Sequence, residues 1–169
     1  MARIYLSLGS NIERHMRIGA ALDALAEHFG ELALSSVYES DSVGFQGDNF
    51  LNLVVGIYSE SSLREVSITL KQIENDNGRD RSAPRFGPRS LDIDILTMDD
   101  ASGVIDGIQL PRDEVLKNAF VLLPLAEIAP HAKHPITGLS YADHWQSYDK
   151  DKQNLWPVPF TWQGKNITR

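Results

Sequence analysis

The sequence predicts an α+β fold in which one antiparallel sheet carries helices on one of its faces. Three observations predict it. Apolar residues recur with a period of two in some segments and of three to four in others, which separates strands from helices. Gly, Asn and Pro mark the boundaries between these segments. In chain order the segments form a β-α-β-β-α-β arrangement.

The first half of this arrangement has clear signals. Residues 4–8 alternate as a first strand, and Asn11 behind them is the expected N-cap of a helix. Gly30 is the expected end of that helix, because glycine is favoured just beyond a helix C-terminus. Residues 32–38 and the strongly apolar residues 50–58 are the second and third strands. The helix between the first two strands has an apolar stripe of Ile18, Leu22, Leu25 and Phe29.

The second half begins at a capping box, in which Ser62 is followed three residues later by Glu65. The helix that it opens ends at Asn77 and Gly78, and the fourth strand covers residues 90–98. This order of elements is the split arrangement of ferredoxin-like folds, and it leaves one sheet face for a ligand or for later elements. The weaker signals that follow are a hairpin through Gly103 and Gly107, a short helix at 112–117, an apolar run at 119–128 and a polar tail.

Length and composition are those of one globular domain. With 169 residues, 42% of them hydrophobic, the chain can bury roughly two-thirds of its unfolded surface. We expect a single domain with a core over about residues 3–138 and a tail over about 141–169. The tail contains all three tryptophans, which indicates that part of it packs on the body. The lack of cysteine, of a secretory signal and of a membrane-length apolar run predicts a cytoplasmic protein.

The charge distribution predicts a small anionic substrate. A net charge of −7 argues against nucleic acid or anionic lipid as a partner. Residues 79–94 differ, with four arginines against three aspartates, and the arginines lie in a loop rich in Gly and Pro. Guanidinium groups bind phosphate bidentately and stay charged. We therefore expect small-molecule partners, no nucleic acid and no membrane. Separately from the charge, we expect a monomer.

Asp92 and Asp94 are the strongest candidates for a metal site. Alternation puts them on one face of the fourth strand, about 6.6 Å apart at roughly 3.3 Å per residue, where they repel each other. Such a pair suits one or two Mg²⁺ ions that bridge to phosphate oxygens. The alternative is a solvated strand face with an ion pair to Arg89. The five histidines form no metal-ligand set, and the usual phosphate-loop, dinucleotide and zinc motifs are absent.

Four segments together resemble a known family: LSLGSN, FLNLVVGI, IENDNGRDRSAPRFGPRSLDIDIL and AFVLLPLAEIAP. The chain is similar to 6-hydroxymethyl-7,8-dihydropterin pyrophosphokinases of the folate pathway, in order, from about residue 3 to 138. The most diagnostic part is residues 81–95. The resemblance implies a βαββαβ core and an ATP-dependent diphosphotransferase, which moves the terminal diphosphate of ATP to the pterin hydroxymethyl group and releases AMP.

The resemblance also assigns roles to individual residues. Asp92 and Asp94 would bind two Mg²⁺ ions, and either could help to accept the hydroxyl proton. Arg79 and Arg89 would bind phosphate and support the transition state, so these four are the expected catalytic residues. The residues expected around ATP, which is a co-substrate, are Glu74, Arg81, Arg85, Phe86, Arg89 and Arg112.

A pterin is flat and aromatic, so its pocket needs ring faces on both sides and a polar rim. The resemblance implies that Phe50 and Phe120 sandwich the ring and that Asn52, on the same strand face as Phe50, hydrogen-bonds its edge. Ser40 and Val43 match the loop backbone that completes the pocket. For either phenylalanine, ordinary core packing is the alternative.

Three positions depart from the family pattern. Arg112 stands where histidine is common, Asn118 where arginine is frequent, and Asp41 where proline is usual. They keep open a diverged relative that acts on another pterin, or a non-catalytic protein that binds pterin or nucleotide. An RNA-binding module on a ferredoxin-like sheet is a further alternative, but the net charge and the lack of an aromatic-basic strand motif argue against it.

Overall fold

A computed structural model of the chain describes residues 1–41, 49–78 and 90–169. The strands in these ranges are β1 (Ala2–Ser10), β2 (Ala33–Leu34), β3 (Val37–Ser40), β4 (Phe50–Ser59), β5 (Asp92–Met98), β6 (Gly103–Ile105), β7 (Ile108–Leu110), β8 (Leu155–Val158), β9 (Thr161–Trp162) and β10 (Lys165–Asn166). The helices are α1 (Arg14–Phe29), α2 (Leu63–Asp76), α3 (Ala119–Ile128) and α4 (Tyr141–Ser147), with a 3-10 helix at Asp113–Leu116.

The main sheet has six strands and is antiparallel throughout. Its order is β5-β1-β4-β3-β8, and β2 also pairs with β4. The two central strands β1 and β4 pair along their whole length, from Ala2↔Ser59 to Ser10↔Leu51. The predicted β-α-β-β-α-β order and ferredoxin-like fold are therefore confirmed, and the tail extends this sheet by one edge strand, β8. The strands β6 and β7 form the predicted hairpin.

Each face of the sheet has its own apolar cluster. The first cluster contains alternate residues of β1 and β4, such as Leu6 and Leu53, and it packs against α1 and α2. The second cluster contains Val54 and Leu96 and packs against α3 and the first residue of α4. The two predicted helices thus cover the first face, and the later elements cover part of the second.

The helix termini match the sequence with one exception. Ser62 Oγ accepts from Glu65 N at 3.2 Å and Glu65 Oε1 accepts from Ser62 N at 3.2 Å, which confirms the capping box. Gly30 has a φ of +80° and ends α1 as predicted. The Asn11 cap is wrong, because α1 begins only at Arg14. Pairing in β1 continues as far as Ser10, so Asn11 lies in the turn between strand and helix.

The predicted strand over residues 32–38 is divided into β2 and β3. The register changes by one residue between Leu34↔Val55 and Tyr38↔Asn52. At the irregularity, Ser35 Oγ accepts from Val54 N at 2.9 Å and Ser35 N donates to Val54 O at 3.0 Å. A serine hydroxyl therefore occupies the place of a backbone acceptor, which is how a bulge is tolerated inside a sheet.

Candidate active site

A bulge in β5 determines which face carries the aspartates. Tyr5 pairs with Thr97 but Leu6 pairs with Ile95, so Leu96 is an extra residue on the β5 side. An extra residue reverses the alternation of every side chain beyond it. As a result Ile93 and Ile95 pack in the first cluster, on the sheet face that α1 and α2 cover. The alternate residues Asp92 and Asp94 therefore lie on the second face, as the predicted shared face requires.

The carboxylates are surrounded by further negative charge. Burial, followed by the charges of Asp92, Glu114 and Glu74, raises the pKa of Asp94 to about 7. Arg112 opposes the rise, with its Nη2 3.6 Å from Asp94 Oδ1 and 3.2 Å from Glu114 Oε1. Among the described residues, the carboxylates of Asp92, Glu114 and Glu74 thus act on Asp94, and a cation bound at Asp94 would weaken the repulsion between them.

Glu74 fixes the segment between the two aspartates. It is buried, with 5% exposure, and its Oε2 accepts from Ile93 N at 2.8 Å. Because β5 is an edge strand of the sheet that the described residues form, this outward amide has no neighbouring strand among them to bond. The contact gives Glu74 a positioning role, which no sequence pattern had indicated. Its role toward ATP stays a prediction.

Gly9 separates the aspartates from the expected pterin residues. It pairs with Asp92 of β5 on one side and with Asn52 of β4 on the other. Neighbouring strands are about 4.8 Å apart, so the backbones of Asp92 and Asn52 are roughly 10 Å apart across Gly9. A Cβ on Gly9 would lie 3.5 Å from Asn52 Oδ1 and 3.8 Å from Phe50 Cδ1. Phe50, Asn52 and the two aspartates therefore share one sheet face.

The amide of Asn52 is held in one orientation. The side chain is 4% exposed, and its Nδ2 donates to Ser40 Oγ at 2.8 Å and to Tyr38 O at 3.4 Å. Both hydrogen bonds of Nδ2 thus go to residues of β3, while Oδ1 lies on the side of Gly9. The arrangement presents an acceptor at the sheet face, in a surrounding where an unpaired polar atom is costly.

Phe120 belongs to α3, which packs against this same face. Its side chain is half-buried at the edge of the second cluster, and Phe50 is also half-buried. Both rings therefore keep exposed area, unlike Leu51 and Leu53, which are completely buried on the first face. This distinction favours a binding role over core packing, because core side chains in this sheet leave no surface for a ligand.

The structure brings together eight of the residues expected at the site, as two groups on one sheet face and at its edges. The first group contains the three carboxylates of Asp92, Asp94 and Glu74 together with Arg112. The second group contains Ser40, Phe50, Asn52 and Phe120. The remaining expected residues lie outside the described residues: Val43, Arg79, Arg81, Arg85, Phe86 and Arg89. Sequence reasoning missed Gly9 and Glu114, although Gly9 lies in the LSLGSN segment.

The donor set fits Mg²⁺ better than a transition metal. Within residues 1–41, 49–78 and 90–169, no group of three or more His, Cys, Asp or Glu side chains is arranged to hold an ion. Mg²⁺ takes one or two carboxylates and completes its shell with water and phosphate oxygens, so a pair of aspartates is enough.

Two cavities, of about 430 and 540 Å³, lie along the tail and do not include these aspartates.

Comparison with known proteins identifies the family. A family model described as 7,8-dihydro-6-hydroxymethylpterin-pyrophosphokinase (HPPK) matches residues 5–130. This chain belongs to the HPPK family. Relatives from Aquifex aeolicus and Bacillus subtilis are 36% and 35% identical, over 80% and 79% of this chain and 86% and 81% of their own. Both are named 2-amino-4-hydroxy-6-hydroxymethyldihydropteridine pyrophosphokinase.

Solved structures show the same fold. A crystal structure of Plasmodium falciparum HPPK-DHPS with SDX-DHP has a TM-score of 0.69 at 14% identity, over 90% of this chain and 45% of that chain. A second wild-type structure has a TM-score of 0.70 at 13% identity, over 98% and 49%. This HPPK-family chain thus spans about half the length of those proteins.

In its described residues, no helix is long and apolar enough to cross a membrane.

Proposed function

We propose that this chain transfers diphosphate from ATP to the hydroxymethyl group of 6-hydroxymethyl-7,8-dihydropterin, giving AMP and the pterin diphosphate, in folate biosynthesis. The chain belongs to the HPPK family, and within that family one structural observation supports this function most strongly. Asp92, Gly9 and Asn52 are consecutive across three neighbouring strands, on the face that also carries Phe50. A phosphate-binding centre and a pterin pocket can therefore meet over Gly9.

On the pterin side, the proposal gives each residue a chemical role. Phe50 and Phe120 stack on the two ring faces, since aromatic rings bind flat aromatic ligands well. Asn52 Oδ1 accepts from a donor on the ring edge, while Ser40 Oγ keeps the amide in place at 2.8 Å. Val43 is also proposed to help complete the pocket.

On the ATP side, Asp92 and Asp94 are proposed to hold two Mg²⁺ ions, which when bound would neutralise the charge of the ATP phosphates. Either aspartate is also proposed to help accept the proton of the hydroxyl group. Arg112, next to Asp94, is proposed to contact a phosphate. Further contacts are proposed for Glu74, Arg79, Arg81, Arg85, Phe86 and Arg89.

We also propose that residues 1–169 act as one domain, as a cytoplasmic monomer whose partners are ATP and the pterin. The tail strand β8 continues the sheet of the core, which supports one domain. The absence of cysteine in the sequence suits a reducing compartment. The net charge of −7 disfavours nucleic acid and anionic membranes.

The direct test is to incubate the protein with ATP, Mg²⁺ and 6-hydroxymethyl-7,8-dihydropterin and to identify the nucleotide released. AMP that forms only with the pterin present supports diphosphate transfer. ADP would show ordinary phosphoryl transfer instead. If neither nucleotide forms while ligands still bind, the protein is a binding relative or takes another pterin.

Metal binding is expected to depend on pH through Asp94. Its pKa of about 7 means that below pH 7 a proton must leave before a cation binds. The apparent dissociation constant of Mn²⁺, used as a spectroscopic substitute for Mg²⁺, should therefore rise toward about 10-fold per pH unit below pH 7 and level off above pH 8. Free Mn²⁺ measured by electron paramagnetic resonance, without nucleotide, checks this. A flat profile between pH 5.5 and 8.5 would contradict it.

Filling the space above Gly9 is expected to weaken pterin binding. In Gly9→Ala the new methyl group contacts Asn52 and Phe50 at ordinary distances of 3.5 and 3.8 Å, so the fold should accept it. It would, however, occupy the surface between the two substrates, and we expect the pterin dissociation constant to rise about 10-fold. Fluorescence titration measures it. The matched control is Gly19→Ala in α1, where an added Cβ has no neighbour within 4 Å, and an equal effect of both variants would refute the prediction.

A further inference from the structure

The N-terminus of α3 is capped by a residue of the tail. Asn118 is in the N-cap position but makes no side-chain cap hydrogen bond. Instead the amide of Ala119 donates to Gln153 Oε1 at 2.7 Å, and Gln153 Nε2 donates to Asn118 Oδ1 at 3.0 Å. The free amides at a helix start are usually satisfied by the residue just before the helix. Here a side chain 34 positions away does so.

The residues that follow Gln153 bond the opposite wall of the proposed pterin pocket. Asn154 Nδ2 donates to Asp41 Oδ2 at 3.4 Å, and Leu155 pairs with Ser40 at the end of β3. Ser40 in turn receives the hydrogen bond from Asn52. Three consecutive tail residues therefore connect the start of α3 with the strand that orients Asn52.

A second tail side chain supports the same helix start. Tyr148 OH donates to the carbonyl of Lys117 at 2.7 Å, two positions before Ala119. Gln153 and Tyr148 both lie beyond residue 130, where the match to the family model ends. The contacts thus belong to the part of the chain to which the family comparison assigns no role.

We propose that Gln153 is a positioning residue for pterin binding. It fixes the first turn of α3, and with it Phe120, at a set distance from β3. Gln153 does not contact the pterin in this proposal but acts through Ala119 and Asn118. The inference rests on the proposed function, because it requires that Phe120 forms one wall of a pterin pocket. ATP, which uses the carboxylate side of the sheet, is expected to bind independently of Gln153.

The test uses the full chain and compares Gln153→Leu with Gln153→Glu. Leucine has a similar size but cannot accept from Ala119 N. Glutamate keeps an accepting oxygen, and its charge suits a helix N-terminus. We expect Gln153→Leu to raise the KM and the dissociation constant for the pterin about 10-fold, with kcat and the ATP dissociation constant within about twofold of wild type. Gln153→Glu should return pterin binding to within about threefold. The control is Gln146→Leu, an exposed position on α4.

Each outcome decides between the proposals. If wild type does not bind the pterin, the proposed function fails. If wild type binds it and Gln153→Leu binds it equally well, the positioning role of Gln153 is overturned. Equal losses in the Leu and Glu variants would also overturn it, because general packing and not the hydrogen bond would then matter. Should Gln153→Leu not fold, Gln153→Asn, which is too short to reach Ala119, replaces it with the same expected pterin effect.

Discussion

Replacing Asp92 or Asp94 by asparagine is expected to lower kcat/KM by at least about 10³-fold, which is about 4 kcal/mol in transition-state stabilisation. Asparagine keeps the size of the side chain but removes the charge that holds a divalent cation and opposes the substrate phosphates. The rate of AMP release at saturating Mg²⁺ is the measurement. The control is Asp113→Asn, since Asp113 is an exposed carboxylate that pairs only with Lys117 among the ion pairs described.

The same variants are expected to keep or raise stability. The raised pKa of Asp94 means that its ionised form is disfavoured in the folded state, so the free energy of unfolding of wild type falls as pH rises from about 4 to about 7. Asp94→Asn lacks this titration. In metal-free buffer its Tm should therefore exceed that of wild type more at pH 8 than at pH 5. A Tm that collapses together with activity would instead give the pair a structural role.

Replacing Asn52 by leucine is expected to raise the dissociation constant of the pterin on the order of 10²-fold, about 2.7 kcal/mol, and to leave ATP binding unchanged. Leucine removes the Oδ1 acceptor and would leave the donor on the pterin edge unpaired in a desolvated pocket. Separate titrations with the pterin and with an ATP analogue measure the two affinities.

A matched variant separates this effect from lost stability. Asn52→Leu also removes hydrogen bonds to Ser40 and Tyr38, which should cost about 1–3 kcal/mol of folding free energy. Ser35→Ala loses a similar set, because Ser35 Oγ accepts from Val54 N and donates to Ser36 O. We expect comparable losses of Tm but an unchanged pterin affinity in Ser35→Ala. Weakened pterin binding in both variants would mean that Asn52 acts only through the fold.

Periodicity and capping were enough to predict the order of elements, because these signals are local. The shared face of Asp92 and Asp94 was also predictable, since alternation within a few residues decides it. Which face they share was not, because it depends on Leu96, an apolar residue in an apolar run. The division of the second strand at Ser35 was missed because it appears only in the pairing with β4. Bulges depend on pairing with a distant strand, and no local pattern marks them.

Contacts between segments that are distant in sequence account for the other features that the sequence did not predict. Asn11 has the right residue type for a cap, but the pairing of Ser10 with Leu51 moved the helix start to Arg14. Gln153 has no motif around it, and its role is visible only once α3 and the tail are side by side. Phe50, Phe120 and Asn52 were found through resemblance, because a side chain that contacts a ligand has no periodicity of its own.

The extra residue in β5 also restricts how this chain can change during evolution. Because Leu96 sets the phase of the strand, deletion of one residue between Asp94 and Thr97 would turn both carboxylates into the apolar interior and bring Ile93 and Ile95 to the surface. The backbone amide of Arg112 bonds Leu96 O at 2.8 Å, so the same deletion would also detach the segment that brings its guanidinium to Asp94. Substitutions in this strand can accumulate one at a time, whereas a change in its length has to arise together with a compensating change nearby.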